Sequence, residues 1–544
     1  MKVRLIVSVV LTVPFLLRLL VQRFRRRLLK KETALLDLPL LGKARDEKDK
    51  ISGTVVICGG SIAGLLAARV CHDHFERVII VEPEAWLTTE DGVKVKSWTQ
   101  DNKRARVMQY TSVHGNLAPV TDGLFRLFPN FEKECCQSEI SLVPADFKIS
   151  FGGRKFLVPH KELGPSFPLT ARAGRQGTET LIRRLTLDKN EYPNIEQIAG
   201  TVIGVDADPK NSRYLKTVHV QTEAGVEDID AILVIDCTGP AKAGPGWIQR
   251  AGFGGGSKPL DKLTVSYDAR MRYASFRFRL PAEMLSKLPE YEKERSTGGL
   301  FIYIADANLA QTYCGAMDAE GEFVTIICGS WGPSELPNNL DEIRECLKST
   351  KSVTPIPEWI WKFFDLCQEV EDTMEVAKVR VPPSCWTHYE LASDLPANYV
   401  AFGDSVCRVN PVFGQGGSKA MMGAVALNNV LQDLYMNNVN GIRADFSQRV
   451  FRNQADKIAP LWDGNKMVDY AYKTTIPEEG ETLDKGATIR WYLHKLQAMC
   501  DKDEQIGSMF WKTVHSYGTS IDVLNPVFIV KVLLNVLSAS ISGN

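Results

Sequence analysis

The sequence predicts an α/β protein built on a parallel sheet with helices packed over it, and three stretches carry that reading. Residues 54–70 pass from the β-branched run Val55, Val56 and Ile57 through small residues into a helical pattern, and a second apolar run, Val78, Ile79, Ile80 and Val81, ends on Glu82. Residues 231–239 read as a fully buried strand that also ends at small residues. Residues 399–420 repeat the first pattern far downstream, as a strand closing on Gly403 and Asp404 before a small-residue loop opens a helix. Strands that alternate with helices and carry near-continuous apolar runs belong to parallel sheets covered on both faces.

Bulk properties narrow the class. A chain of 544 residues exceeds one ordinary domain, so it holds either several domains or one large α/β domain with an inserted partner. Its 65 basic and 65 acidic residues balance to zero, which argues against a nucleic-acid binder that relies on a global basic field. The 12 cysteines are scattered, and only Cys135 and Cys136 are adjacent, too close for an ordinary disulfide. They read as buried, reduced thiols of a cytosol-facing chain. His72 and His74 offer the one close histidine pair, at the end of the first helix, and read as surface. With no H-E-x-x-H and no cysteine cluster, no protein-bound metal is expected, and no G-x-S-x-G elbow suggests a serine nucleophile.

The N-terminus departs from this soluble composition. Residues 5–17 are apolar around Pro14, and Leu19, Leu20 and Val21 continue the run past Arg18. A full span needs about 20 apolar residues, so this segment either crosses a bilayer as a transmembrane helix or lies in its interface. Arg23, Arg25, Arg26, Arg27, Lys30 and Lys31 follow it while only Lys2 and Arg4 precede it, a bias that leaves the large body in the cytosol. A cleaved signal would carry its charge before the apolar region. Residues 1–31 are therefore expected to be a membrane anchor contacting lipid, on the endoplasmic reticulum, and residues 32–52 a linker. The apolar residues 527–537 are too short to span and suit a packed helix or a second membrane contact equally.

Within the first turn the spacing is Gly59-x-Ser61-x-x-Gly64, close to the G-x-G-x-x-G of dinucleotide folds. Gly59 permits the sharp exit from the strand, and Gly64 lets the helix approach the sheet. The free N–H groups around Ser61, Ile62 and Ala63 face a pyrophosphate at a positively polarised helix end. Ser61 stands where a glycine is usual; it is small, and its hydroxyl can donate to a phosphate. Glu82, about 20 residues on, suits ribose hydroxyls, and an acid there favours FAD or NAD over NADP. Arg104 or Arg106 could reach the phosphates or the flavin side, the alternative being a solvated basic loop.

Between these stretches, residues 117–131 read as a helix ending around Phe128-Pro129-Asn130, residues 146–158 as a hairpin about Gly152-Gly153, and residues 175–185 as another helix. Val265, Tyr267, Ala269, Met271, Tyr273, Phe276, Phe278 and Leu280 alternate with polar residues, and residues 299–305 and 323–328 add short strands. These suggest an antiparallel sheet with one solvated face. The expected division is a discontinuous nucleotide domain (53–140, 165–260 and 395–435), an inserted domain (141–164 and 261–394) and a helical C-terminal region (436–544).

The downstream stretch, Gly403-Asp404 followed by Pro411-x-x-Gly414-x-Gly416-Gly417, resembles the FAD-dependent monooxygenases of the p-hydroxybenzoate-hydroxylase fold, often called group A, and more loosely squalene epoxidases. The resemblance covers residues 54 to about 427. It implies that Asp404 binds the ribityl chain and that Pro411, Gly414, Gly416 and Gly417 form a loop beside the pyrimidine edge of the isoalloxazine. Arg175, in a helix similar to the family's R-x-x-L-E-x-x-L-R with Thr178 in place of leucine, would approach the FAD phosphates. Asp236-Cys237-Thr238-Gly239 stands where many members carry an Asp-Gly motif for docking FAD and NADPH, and looks like the A-T-G variant of related flavoproteins, so the reductant is open between NADPH and NADH. The expected architecture is an α/β FAD-binding Rossmann-like domain with an inserted antiparallel β-sheet substrate domain, an N-terminal membrane helix and a helical C-terminal region.

The resemblance implies an enzyme that uses NAD(P)H and O₂ to epoxidise or hydroxylate an apolar small molecule, such as a terpenoid, polyketide or aromatic metabolite in secondary metabolism. The cofactor carries the difficult chemistry, which fits a sequence with no evident nucleophile or acid–base pair. Tyr267, Tyr273, Phe276, Tyr303 and Trp331 suit either an apolar pocket or a core, and His388 and Tyr389 either a substrate-facing or a structural role. Rival readings are a flavin-dependent halogenase, whose W-x-W-x-I-P segment is matched only by Trp359 and Trp361, a prenyl-lipid reductase or dehydrogenase, and a non-catalytic membrane flavoprotein.

Overall fold

The computed structural model describes residues 2–542, with the side chains of residues 2–15, 17, 539 and 541–542 outside that description. Helix α1 (Lys2–Glu32) leads into β1 (Ile51–Cys58), α2 (Ile62–His72) and β2 (Phe75–Glu82); α3 (Arg175–Thr186) precedes β3 (Ile195–Ala199) and β4 (Leu233–Asp236). Strand β5 (Tyr399–Ala401) is followed by α4 (Gly416–Met436), α5 (Phe446–Asp469) and α6 (Pro526–Ser542). The five strands form one parallel sheet in the order β5-β4-β1-β2-β3.

Val55, Val56 and Ile57 of β1 are wholly buried because both sheet faces are covered. On one side lies α2, with α3 and α4 against it. On the other lies a three-stranded antiparallel sheet of Thr201–Asp208, Asn211–Thr222 and Gly225–Asp230. The sequence reading does not anticipate that sheet, since its strands bury few residues and lack a strong apolar pattern.

The inserted domain centres on a seven-stranded sheet in the order Glu375–Arg380, Met271–Arg279, Phe323–Trp331, Thr312–Asp318, Phe301–Ile304, Ile149–Phe151 and Arg154–Lys155. The expected hairpin at Gly152-Gly153 is present in it. Two expectations change. The alternating run 263–280 is two strands, because Arg270 takes a left-handed conformation (φ 52°) that turns the chain between them. Thr264–Tyr267 joins a small sheet with Ser384–Thr387 and Cys407–Arg408, and only Met271–Arg279 enters the large one. That large sheet also lacks the solvated face expected at this strand. Phe276 and Phe278 pack under the helices Pro289–Ser296, Leu340–Ser349 and Glu358–Gln368, while Met271 and Tyr273 join the main core on the opposite side. The helix read over 117–131 runs over Ala118–Leu127 and stops at the expected Phe128-Pro129-Asn130, beyond which a further short helix, Phe131–Gln137, begins.

The C-terminal region is helical, as expected. Within it Phe528 and Val532 of α6 pack with Tyr492, Leu496 and Ile506 against Phe156 of the inserted domain. Among the described residues no helix is long and apolar enough to cross a membrane; the transmembrane expectation falls on residues 5–17, most of whose side chains lie outside that description. Pro14 and Arg18 already made the N-terminal run marginal.

The end of α1 is fastened to the body by one buried cation. Lys457 on α5 donates to the backbone carbonyls of Lys30 and Thr33 (both 2.9 Å) and to Asp37 (2.8 Å), closing orphan carbonyls at the helix C-terminus. Lys457→Met leaves the Asp37 carboxylate buried and unpaired, an error that costs about 3–5 kcal/mol. We expect hydrogen exchange at residues 28–38 to quicken in this variant while the sheet amides stay protected.

Candidate functional site

The first turn is shaped by contacts that tolerate only glycine. Gly59 has φ 115°, and a Cβ on it would lie 2.4 Å from the Cys237 carbonyl; a Cβ on Gly64 would lie 1.9 Å from the Gly59 carbonyl. The turn is thus pressed between the end of β4 and its own helix, leaving the α2 N-terminus open. Ser61 is the N-cap residue, yet its side chain makes no capping bond. Its hydroxyl instead donates to Glu179 Oε2 (2.8 Å) and accepts from Arg175 Nη2 (2.7 Å). The expected donation from Ser61 to a phosphate is therefore corrected, because α3 takes that hydroxyl. The departure from glycine has a local reason: it bolts α3 onto the turn.

Glu179, the residue that receives this bond, is wholly buried among arginines. It pairs with Arg104, with Arg175 (2.9 Å) and with Arg183 (3.1 Å). Burial pushes its carboxyl up, but Arg104, Arg175 and Arg183 together outweigh that and hold it at about 2. Arg104 also pairs with Glu84 and, at 3.2 Å, with Glu82. Glu82 Oε2 accepts the Gly60 N–H (2.9 Å) and Oε1 that of Glu84 (3.1 Å). Glu82 therefore stands at the expected strand end, but it is enclosed and engaged with protein groups. Arg104 is a clamp between β2 and α3 rather than an arm reaching into the cleft. Arg106 lies exposed, and among the described residues its guanidinium has no partner, so the solvated-loop alternative describes it.

The downstream stretch meets this turn directly. Gly403 has φ 63°, and a Cβ there would lie 3.0 Å from the Ala63 side chain. Asp236, buried at the end of β4, accepts from the Thr238 N–H (2.9 Å), the Ser405 hydroxyl (3.1 Å) and the Tyr399 hydroxyl (3.1 Å), locking the Gly403-Asp404 turn to the sheet. Asp404 is 38% exposed in its side chain, and Lys419 grips its Oδ1. Partial burial raises the Asp404 carboxyl, yet Lys419, with Arg408 and Arg175, outweighs it and keeps it below the usual carboxylate range. Among the described residues nothing hydrogen-bonds Oδ2.

Beyond it, Asn410 caps the short turn Pro411–Phe413 through the Val412 N–H (3.2 Å), Gly414 adopts φ 64°, and α4 begins at Gly416 with no side-chain cap. Open space surrounds the position of a Cβ on Gly416. Two enclosed polar atoms nearby lack partners, Ser418 Oγ and His114 Nε2, the latter 3.9 Å from where a Cβ on Gly417 would sit. Burial, with Arg175 close by, pushes the His114 imidazole down to about 3, so it is neutral. Arg175 Nε is also enclosed and unpartnered.

These features fit an FAD molecule. The uncapped N-termini of α2 and α4 suit anionic or electron-rich groups, Asp404 Oδ2 suits a sugar-alcohol hydroxyl, and the orphaned atoms call for polar partners. Gly59, Ile62, Ala63, Gly64, Asp404, Pro411, Gly414, Gly416 and Gly417 come together here, with Arg175 at their margin. Residues to which the sequence reading gave no role are Glu179, Arg183, Lys419 and His114, while Asp236 figured there only as a departure from the Asp-Gly motif. Glu179 and Arg183 had a signal, four-residue spacing from Arg175 along one helix face; His114 and Lys419 had none.

The expected substrate side fares differently. Phe276 and Tyr303 belong to the core under the inserted helices. Tyr267 and Trp331 donate to the buried Asp469 (2.8 and 2.7 Å), and Tyr273 packs in the main core, so none of the five forms a pocket wall. Tyr389 stacks on Phe451, and His388 bonds Glu390 (2.7 Å), which makes both structural. His74 is not a surface residue: it is buried between Arg45 and Asn428 (both 3.2 Å).

Comparison with solved structures places this architecture. The chain aligns with the flavin-dependent brominase Bmp2 at a TM-score of 0.53 and 12% identity, covering 90% of this chain and 100% of that one. It aligns with p-nitrophenol 4-monooxygenase PnpA from Pseudomonas putida DLL-E4 at 0.51 and 15% identity, over 86% and 99% of the two chains. A flavoprotein/dehydrogenase from Cytophaga hutchinsonii aligns at 0.53 and 11%, over 86% and 93%. The chain therefore has the fold of the group A FAD-dependent monooxygenases, a fold it shares with a brominase. By sequence, Protein Rv3254 of Mycobacterium tuberculosis is 24% identical over 454 residues, 80% of this chain and 82% of its own. No protein-family model matches.

Two outcomes test this geometry. Glu179→Gln strands Arg183 in the interior and is expected to cost about 3–5 kcal/mol in chemical denaturation. Because the native Glu179 carboxyl is depressed, its contribution is complete above the ordinary carboxylate range and is lost as pH falls towards about 2, so the variant should show a flatter acid limb. Gly64→Ala forces its turn open, costing about 1–3 kcal/mol, and the purified variant should carry less flavin than the native chain.

Proposed function

We propose that the chain is an FAD-dependent monooxygenase that uses NADPH or NADH and O₂ to epoxidise or hydroxylate an apolar small molecule. The observation that carries this reading is the meeting of two uncapped helix N-termini across the Gly403–Ala63 contact, with an ionised Asp404 between them. Bound there, FAD would supply the two-electron chemistry, accepting reducing equivalents from the nicotinamide and activating O₂.

The chain's own residues bind, orient and exclude water. The free N–H groups of residues 61–64 at the start of α2 would receive the pyrophosphate, those of Gly59 and Gly60 being taken by the Val81 carbonyl and Glu82 (both 2.9 Å). Asp404 accepts from the ribityl chain, and Lys419 keeps it ionised for that purpose. The first N–H groups of α4 favour negative charge at the pyrimidine edge. Gly115 lies against the Gly414 turn, and behind it Phe147 and Met317 are buried with Leu117 in a small apolar cluster. Those apolar surroundings support an apolar substrate, and our reading is the tailoring of a terpenoid, polyketide or aromatic metabolite at the cytosolic face of the endoplasmic reticulum.

The test is the visible spectrum of the purified protein, followed by anaerobic NADPH or NADH and then air with candidate substrates. We expect bound flavin that bleaches with one nicotinamide and recovers in air with one oxygen atom incorporated into product. Flavin that stays oxidised with both nicotinamides would shift the assignment to a halogenase fed by a separate reductase. The absence of flavin uptake would remove the proposal.

A further inference from the structure

We infer that α1, α6 and the cavity beside α1 form a monotopic docking face for an anionic phospholipid bilayer. Helix α6 is apolar on two opposite sides. Phe528 and Val532 are buried in the body, whereas Val527, Val530, Leu533, Leu534 and Leu537 share the outward face, the three leucines 55–60% exposed. The one charged residue of α6, Lys531, is turned to Asp503. Seventeen residues make α6 about 25 Å long and too short to cross a bilayer, so an outward apolar face of this kind suits insertion along the interface.

Helix α1 adds a second stripe beside it. Leu16, Leu20 and Phe24, spaced by four residues, are 51–60% exposed. Arg25 holds Asp522 through two hydrogen bonds (2.7 and 2.9 Å), four residues before α6 begins, so the two helices leave the body from adjoining points.

Charge identifies the occupant. A cavity of about 720 Å³ opens between α1 and α5, lined by Arg26, Arg27, Lys30 and Lys31 together with Leu36 and Leu40. The two aspartates of its wall are already engaged, Asp37 by Lys457 and Asp456 by Lys31 (3.4 Å). Among the described residues no carboxylate pairs with Arg26, Arg27 or Lys30. No acid precedes Glu32 in the chain. A cationic, apolar-rimmed cavity next to two exposed apolar stripes matches an anionic headgroup with its acyl chains, whereas a second copy would bring the same unpaired cations against one another.

The experiment is co-sedimentation of the full chain with vesicles of phosphatidylcholine alone or containing phosphatidylserine, in low and high salt. We expect binding to the mixed vesicles that weakens with salt and falls roughly tenfold in Arg26→Glu/Arg27→Glu, with Leu533→Asp/Leu537→Asp also detaching the chain while its circular dichroism is unchanged. Slowed hydrogen exchange at residues 527–537 of the native chain on vesicles gives the same answer without any variant. Equal binding to both vesicle types would overturn the inference. So would failure to bind accompanied by a dimer that Leu533→Asp/Leu537→Asp dissociates, since that face would then belong to a second copy.

Discussion

The site depends on one buried carboxylate. Glu179 sits among Arg104, Arg175 and Arg183 and accepts the Ser61 hydroxyl, so a single acid joins α3, the loop after β2 and the first Gly-rich turn. Taking one carboxylate and three guanidinium groups out of water is costly, and the arrangement persists because nearly every charge has a counter-charge or a hydrogen bond in place. The network defines where the α2 N-terminus points, and with it the mouth of the cleft.

A second constraint joins parts of the chain that lie some 340 positions apart. Asp236 gathers Thr238, Tyr399 and Ser405, and through them holds the Gly403-Asp404 turn to the sheet. Gly403, in a left-handed conformation, then rests closely on Ala63. Two helix N-termini face one cleft for this reason, a geometry that neither turn would create alone. The residue that looked like a departure from the Asp-Gly motif is the one that assembles the site.

The chemistry expected of the site follows from what the protein offers there: backbone N–H groups, one ionised aspartate and a neutral histidine. Groups of this kind position and shield a reactive cofactor rather than perform acid–base work themselves. On the opposite concern, attachment, the body is finished with a buried polar anchor at Lys457 and a half-exposed one at Arg25, leaving apolar helix faces outside them.

The fold class was legible in local patterns. Apolar runs that break at glycines, or at Glu82 for β2, produced β1, β2, β4 and β5, and the glycine spacing located both turns, since backbone clearance at Gly59 and Gly64 admits no other residue and Gly403 takes a left-handed conformation. Periodicity alone could not tell one strand from two across Arg270, because alternation continues through a left-handed turn. Nor could it separate pocket from core for Tyr267, Tyr273 and Trp331, whose partners lie on distant elements. Which acids stay free was also a tertiary decision. Glu82 and Asp404 occupy equivalent strand ends, yet Arg104 and two backbone N–H groups enclose the first, while Lys419 occupies only one oxygen of the second. Composition and spacing name the residues that can bind; only the packing around each carboxylate decides which oxygen is left to do so.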